Sequence, residues 1–402
     1  MNAPINPAEI ASRGFFDVEG RPRLVFGSGS SARAGELARS LGGRNALLVT
    51  DAGIVKAGHA GRVEQSLRAA GFTVTTFSDV HENPTTRDVD ACLAVAREAK
   101  IDLIVGLGGG SSMDTAKGIN FLLTNGGRMQ DYWGVGKATK PMLPLIAIPT
   151  TAGTGSEMQC AALIADEVTH QKMACLDSKV LARVAILDPQ LTLSQPHRVA
   201  ACTGIDAVAH AVETAVTKKR TNESAAFSRE AFRLCVPALP VVLTTPEDLA
   251  ARGRMQLGAA FSGAAIERSM LGAAHAAANP LTARFGVVHG VAVGVMLPHV
   301  VRFNAQLPSV RAHYAELAVA AGIVENYDSH ECAVERLVKC LVDLLWFIDG
   351  STPTLATLQV RRDTIPALAE EAAKQWTAGF NPRSVGVEEF VGLYEAAFEP
   401  RA

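Results

Sequence analysis

The sequence predicts a doubly wound, mostly parallel α/β domain followed by an all-helical domain. Three observations carry this. At 402 residues the chain exceeds the ~250–300 that one hydrophobic core usually serves, so two domains are expected. Up to about residue 195, short β-branched apolar runs alternate with Ala/Arg/Leu/Glu stretches of helical period. Such alternation is the mark of βα units on a parallel sheet. After Leu187-Asp188-Pro189-Gln190-Leu191-Thr192 the strand signals nearly vanish and long Ala-rich helical patterns take over. The boundary falls near Pro196, giving an α/β domain over 1–195 and an all-helical domain over 196–402.

In chain order, the predicted strands are Arg23–Phe26, Ala46–Thr50, Thr73–Phe77, the run Ile101–Leu107 and Leu145–Ile148. Helical period covers Ser31–Leu41 and Thr86–Ala99 between them, then Ser224–Val236, Pro246–Ala264 and Ser309–Ala321 in the second half. Ligands of doubly wound sheets bind at the carboxyl ends of strands. Asp51, directly after the Ala46–Thr50 run, and the glycines after Leu107 both fall there.

Composition excludes several classes. The 38 basic residues nearly balance the 40 acidic ones and form no basic tract, which argues against a nucleic-acid partner. No apolar run approaches the ~18 residues of a membrane span. The opening Met1–Pro7 has neither the basic nor the apolar region of a signal peptide. Seven scattered cysteines, odd in number and without a Cys-x-x-Cys, read as reduced thiols in a cytoplasm. A homodimer or higher homo-oligomer is the expected assembly.

Two motifs carry chemistry. The strand ending at Leu107 runs into Gly108-Gly109-Gly110-Ser111-Ser112 and then into the helical pattern Met113-Asp114-Thr115-Ala116-Lys117. A strand, a glycine turn and a helix place free backbone N–H groups and a helix N-terminus against a diphosphate. One glycine would suit an ordinary βα turn; three followed by two serines favour phosphate binding. The pattern is neither a Rossmann G-x-G-x-x-G nor a Walker loop. The second motif is Asp206 and His210, one helical turn apart, with His275 and His289 following in a small-residue stretch. One carboxylate with three imidazoles suits Fe(II), Zn(II), Mn(II) or Ni(II). Alone, an Asp-x-x-x-His pair is more often a helix surface pair, so the weight comes from the combination.

Four blocks together resemble the iron-containing (group III) alcohol dehydrogenases over essentially the whole chain. They are Gly108–Lys117; Pro149-Thr150-Thr151-Ala152-Gly153-Thr154-Gly155-Ser156-Glu157; Asp188-Pro189 through Gly204-Ile205-Asp206-Ala207 to Glu213; and Gly272-Ala273-Ala274-His275 with His289-Gly290. The resemblance implies that Asp206, His210, His275 and His289 bind a divalent metal, Fe2+ first and Zn2+ second. The expected cofactor is NAD in preference to NADP, because the Asp51 carboxylate at the strand's carboxyl end would accept from a free ribose 2′-hydroxyl and repel a 2′-phosphate. Gly108, Gly109, Gly110, Ser111, Ser112 and Asp114 would hold its pyrophosphate side, Thr150, Thr151, Thr154 and Lys172 would lie along it, and Asp51 would accept from the adenosine ribose. The expected substrate is a small alcohol or aldehyde. A hydroxyacid–oxoacid transhydrogenase, a polyol dehydrogenase or a maleylacetate reductase-like enzyme shares the fold and is the alternative, and a binding protein without turnover is the rival of another class.

The sequence also departs from the family pattern. Where the family has a second histidine four residues after the third ligand, this chain has Asn279, followed by Pro280. Thr282 stands where a glycine is usual and Val288 where a proline precedes the last ligand. Asn279 shares the helix face of His275 and is the candidate catalytic residue, set to orient substrate; a carboxamide cannot titrate near pH 7. The competing reading is that Asn279 caps a helix end before Pro280.

Overall fold

The computed structural model describes residues 6–11, 14–325 and 329–398, so Met1–Ile5 of the opening segment lie outside the described residues. Those described divide into two units: 14–151 with 155–195, and 6–11 with 152–154 and 196–398. The short first helix, α1 (Pro7–Ala11), counts with the second unit.

The first unit runs β1 (Phe16–Val18), β2 (Arg23–Phe26), α2 (Ala34–Leu41), β3 (Asn45–Val49), α3 (Ala52–Lys56), α4 (His59–Ala69), β4 (Thr73–Phe77), α5 (Thr86–Glu98), β5 (Leu103–Gly108) and α6 (Gly110–Asn125). It continues with β6 (Gly134–Val135), β7 (Leu145–Pro149), β8 (Ala161–Ala165), β9 (Lys172–Leu176) and β10 (Val184–Leu187). The main sheet has the order β1-β2-β10-β7-β5-β3-β4, parallel throughout except for β1, which lies antiparallel on β2. Alternating side chains bury both faces. Leu47 and Val49 of β3 join Val89 and Leu93 of α5 and Met113 and Ile119 of α6. Ala46 and Leu48 join Leu37 of α2 and Val63 and Leu67 of α4 on the other face. That period of two, with helices on each side, is the doubly wound arrangement.

Five strands exceed the sequence expectation. β1 and β6 have only three and two residues, too few to show a period, and β10, Val-Ala-Ile-Leu, is buried throughout and shows no alternation. β8 (Ala-Ala-Leu-Ile-Ala) and β9 (Lys-Met-Ala-Cys-Leu) lack β-branched residues save Ile164, yet pair antiparallel and, with β6, form a separate sheet of order β6-β9-β8. Register then decides the functional geometry. Val49 pairs with Gly106, and Gly108 with Pro149, so the carboxyl ends of β3, β5 and β7 lie side by side. Asp51, Gly108–Gly109 and Thr150–Thr151 issue from these neighbouring ends.

The second unit comprises α7 (His197–Thr214), α8 (Asn222–Thr244), α9 (Leu249–Arg268), α10 (Ala273–Phe285), α11 (His289–Asn304), α12 (Pro308–Ala320), α13 (His330–Leu345), α14 (Ile365–Ala373) and α15 (Val387–Ala396). α8 continues past the expected end at Val236, through Pro237 and Pro240 to Thr244. α10 likewise passes through Pro280. An interior proline costs about 3 kcal/mol in an isolated helix. Here both helices are buried along most of their length, and packing outweighs it. α11 crosses α7 at Gly290 and Gly294. A Cβ on Gly290 would lie 2.0 Å from the Cys202 carbonyl oxygen, and one on Gly294 would lie 2.8 Å from Ile205 Cγ2. Among the described residues no helix is long and apolar enough to cross a membrane.

Candidate metal and cofactor sites

Helix α7 presents Asp206, His210 and Glu213 at positions i, i+4 and i+7, one face of the helix, and all three are buried. His275 comes from the first turn of α10, and His289 is the first residue of α11. Their nitrogens converge on one oxygen. Asp206 Oδ1 lies 3.3 Å from His210 Nε2, 3.4 Å from His275 Nε2 and 3.7 Å from His289 Nε2. The His210 and His275 rings stack at 4.8 Å between centroids. Four ligands placed tetrahedrally about 2.0–2.1 Å from a common centre are about 3.4 Å apart. The ligand atoms of Asp206, His210 and His275 lie within 4.8 Å of one another, close enough to hold one first-row divalent cation, and His289 faces the same carboxylate oxygen from 3.7 Å. Asp206 Oδ1 and His275 Nε2 are buried and make no hydrogen bond, which an intervening cation explains.

The electrostatics point the same way. Burial disfavours a charged Asp206, but His210, His275 and His289 outweigh it and hold the carboxyl well below the usual carboxylate range. Burial lowers His210. Burial also pulls on His275, yet Glu213 and Asp206 overcome it and push that imidazole up to about 9.

Glu213 does two things. Its Oε2 accepts from His275 Nδ1, which fixes the tautomer and leaves Nε2 facing Asp206. Its Oε1 accepts from Ala274 N at 2.7 Å, in the first turn of α10. Gly272, the N-cap of α10, offers no side chain, so a glutamate 61 residues earlier in the chain supplies the cap. The sequence reading placed Glu213 in a signature and gave it no role. Its spacing of seven from Asp206 was the available signal.

In the first unit, β5 delivers Gly108 and Gly109 to the start of α6. No side chain caps the first turn of that helix, formed by Gly110, Ser111 and Ser112. Gly108 has φ +148°, and a Cβ there would sit 2.3 Å from Ser112 Oγ. The same Cβ would be 3.3 Å from Asp51 Oδ2, so Asp51 borders the loop. Asp51 also caps α3, its Oδ1 accepting from Ile54 N at 3.0 Å. Thr150 N donates to the Gly108 carbonyl at 2.9 Å, and a Cβ on Gly109 would touch Thr151 at 3.3 Å. Lys172 Nζ donates to Asn83 Oδ1 (3.3 Å), whose backbone N donates to Ser111 Oγ (3.2 Å). Asn83 had no place in the sequence reading. Asp114 Oδ1 accepts from Ser156 Oγ at 3.1 Å; burial, working against Lys117 and Lys172, pushes its carboxyl up to about 6. Lys117 is fully buried and holds the Ser156 carbonyl (2.7 Å), Ser156 Oγ (2.8 Å) and the Ala161 carbonyl (2.9 Å). The loop, Asp51, Thr150, Thr151 and Lys172 thus form one cluster. Thr154 falls in 152–154, which belongs to the helical unit, where a Cβ on Gly153 would lie 2.4 Å from Thr203 Cβ.

Asn279 is not at a helix end. It lies inside α10, which continues to Phe285, so the capping reading is corrected. Its Nδ2 donates to Gln375 Oε1 at 3.0 Å, a partner 96 residues away. Thr282 Oγ1 is buried without a hydrogen bond. The Tyr132 ring is buried against Phe121, and its hydroxyl donates to the Gly126 carbonyl at 2.7 Å.

A glycine-fronted helix on a parallel sheet, with a carboxylate and three histidines in a helical unit, defines a class: metal-dependent nicotinamide oxidoreductases. Comparison with known proteins narrows it. The family description "Iron-containing alcohol dehydrogenase" matches residues 22–189, and "Fe-containing alcohol dehydrogenase family, C-terminal" matches 200–398. The chain is 34% identical to alcohol dehydrogenase 4 of Schizosaccharomyces pombe over 93% of its own length and 87% of that protein. It is 34% identical to the NAD-dependent methanol dehydrogenase of Bacillus methanolicus, over 94% and 98%. A crystal structure of 1,3-propanediol oxidoreductase superposes with a TM-score of 0.90 at 33% identity, over 96% of this chain and all of that one. The chain belongs to the iron-containing alcohol dehydrogenase family and is an oxidoreductase acting on CH–OH groups.

Proposed function

We propose that the protein interconverts a small alcohol and its aldehyde with NAD(H), using a divalent cation, Fe2+ in the native protein, held by Asp206, His210, His275 and His289. The observation that carries this is the convergence of three imidazole nitrogens on the orphaned Asp206 Oδ1. When bound, the cation supplies Lewis acidity at the reacting oxygen. The protein's own groups do the rest. Asp206 offsets the positive charge, and Glu213 aims His275. The uncapped first turn of α6 receives the pyrophosphate on the N–H groups of Gly110, Ser111 and Ser112. Asp51 accepts from a free ribose 2′-hydroxyl with the oxygen not used on Ile54, and repels a 2′-phosphate, which favours NAD over NADP. Thr150, Thr151, Thr154 and Lys172 lie along the cofactor.

Asn279 orients substrate. Its Oδ1 and the Gln375 amide nitrogen remain available after the bond between the two side chains, an acceptor beside a donor. That pairing suits a substrate with a second polar group near the reacting carbon. Neither amide titrates, so the proton exchanges with solvent through water, with the Thr282 hydroxyl as an available relay. Cysteines that are all unpaired agree with a reducing cytoplasmic setting, and a homodimer is the assembly expected of the chain.

The test is a panel of alcohols and aldehydes with metal-depleted and Fe2+- or Zn2+-reconstituted protein, read by NADH absorbance. Turnover should require both metal and NAD(H). His275→Ala should lose most of the metal, by elemental analysis, and nearly all activity. A wild-type protein fully active with only trace metal would overturn the proposal.

A further inference from the structure

We propose that the helical unit carries a second binding site, for a small oxyanion of the phosphate class, at the junction of α7, α8 and α12. A cavity of about 270 Å³ opens there, walled by Ala215 just beyond α7, Arg220 of the following loop, Asn222 and Arg229 of α8, and His313 and Glu316 of α12. None of these residues belongs to the metal or cofactor clusters.

The charges in the wall do not balance. Arg220 and Arg229 are permanent cations, whereas Glu316 is the one carboxylate among the lining residues. Its contacts are loose: 4.0 Å to an Arg220 terminal nitrogen and 3.5 Å to His313 Nδ1. Neighbouring acids on α8 are committed elsewhere, Glu223 to Arg268 and Glu230 to Arg233. Arg229 makes no hydrogen bond or ion pair among the described residues. Arg220 Nε and His313 Nδ1 are buried atoms without a hydrogen-bond partner. A buried guanidinium N–H with nothing to donate to is costly, and an oxyanion would satisfy it. The first turn of α8 is already capped by Thr221, with Ser224 N donating to Thr221 Oγ1 at 3.1 Å, so the groups that face the ligand are the two guanidiniums and the unmatched Nε. Phosphate suits such a wall because its several oxygens can each accept a charge-assisted bond from a guanidinium N–H, whereas chloride is a single point charge.

Inorganic phosphate is the probe, titrated by calorimetry into the metal-loaded full chain saturated with NAD, against chloride at matched ionic strength. Saturation with NAD keeps phosphate from the α6 loop. One saturable phosphate per chain is expected. Arg229→Ala should weaken it by about tenfold or more, the loss of a charge-assisted bond. Glu316→Gln should tighten it, because the competing carboxylate is gone. The opposite signs separate this site from phosphate on the metal and from any general loss of folding, which circular dichroism checks independently. Absence of saturable binding in the wild type, or binding that neither substitution changes, would overturn the proposal.

Discussion

Replacing Glu213 by glutamine tests how the metal ligands are aimed. The glutamate accepts two hydrogen bonds, from His275 Nδ1 and from Ala274 N at 2.7 Å, one on each oxygen. A glutamine of the same shape has one acceptor oxygen, and its NH2 must confront a donor. If the oxygen stays on Ala274, the His275 Nδ1–H loses its partner and the ring its lock. If it turns to His275, a buried N–H of α10 is left unpaired, at about 1–3 kcal/mol. Either way His275 Nε2 is less well held. Loss of an outer partner of this kind lowers metal affinity about 10–100-fold, or roughly 1.4–2.7 kcal/mol. The assay is competition with a chromophoric chelator at fixed pH, with thermal unfolding measured in parallel. Metal affinity within about twofold of wild type, with a lowered Tm, would show that Glu213 serves only as a helix cap and would refute the reasoning.

Three further outcomes are expected. Asp51→Asn keeps the α3 cap and removes the charge, so kcat/KM for NADP(H) should rise relative to NAD(H) with little change in Tm; an unchanged ratio, or a wild type that prefers NADP(H), would show that Asp51 does not face the ribose. Asn279→Ala and Gln375→Ala should each reduce kcat/KM with metal content unchanged; values within about twofold, roughly 0.4 kcal/mol, would leave the pair no orienting role. Burial pushes the Glu157 carboxyl up to about 7 from its ordinary 4.5, so between these pH values the folded state holds a proton that the unfolded state has released, and stability falls as pH rises. Glu157→Gln should flatten that part of the Tm–pH profile, and equal slopes in the two proteins would exclude Glu157 as the cause.

What the sequence showed and what it hid have separate physical causes. β3, β4, β5 and β7 were legible because each is a run of five or six residues with branched or large apolar side chains. β8 was hidden because three of its five residues are alanine, and its strand form rests on pairing with β9 rather than on local preference. Prolines misled in the opposite direction. Pro237 marked a helix end by local rules, and Pro280 made Asn279 look like a cap, yet burial carries both helices onward. At the site, Asp206 and His210 were legible because helical spacing alone unites them. The Asn279–Gln375 and Lys172–Asn83 contacts span 96 and 89 residues, and no local period announces such partners.

The glycines explain how His289 comes to face Asp206. His289 is the first residue of α11, so its position is set by where that helix starts, and the next residue is the point of contact with α7. The hydrogen of Gly290 stands where any larger group would run into the Cys202 carbonyl. Gly294, one turn later, admits Ile205, the residue beside Asp206. Two side-chain-free positions at i and i+4 therefore let α11 settle close against α7, with His289 Nε2 3.7 Å from Asp206 Oδ1. His275 reaches the same oxygen by another device, a capping carboxylate from α7 that holds the start of α10. Helix α7 thus bears on the cluster three times over: it supplies Asp206 and His210, the carboxylate that aims His275, and the backbone surface against which His289 is placed.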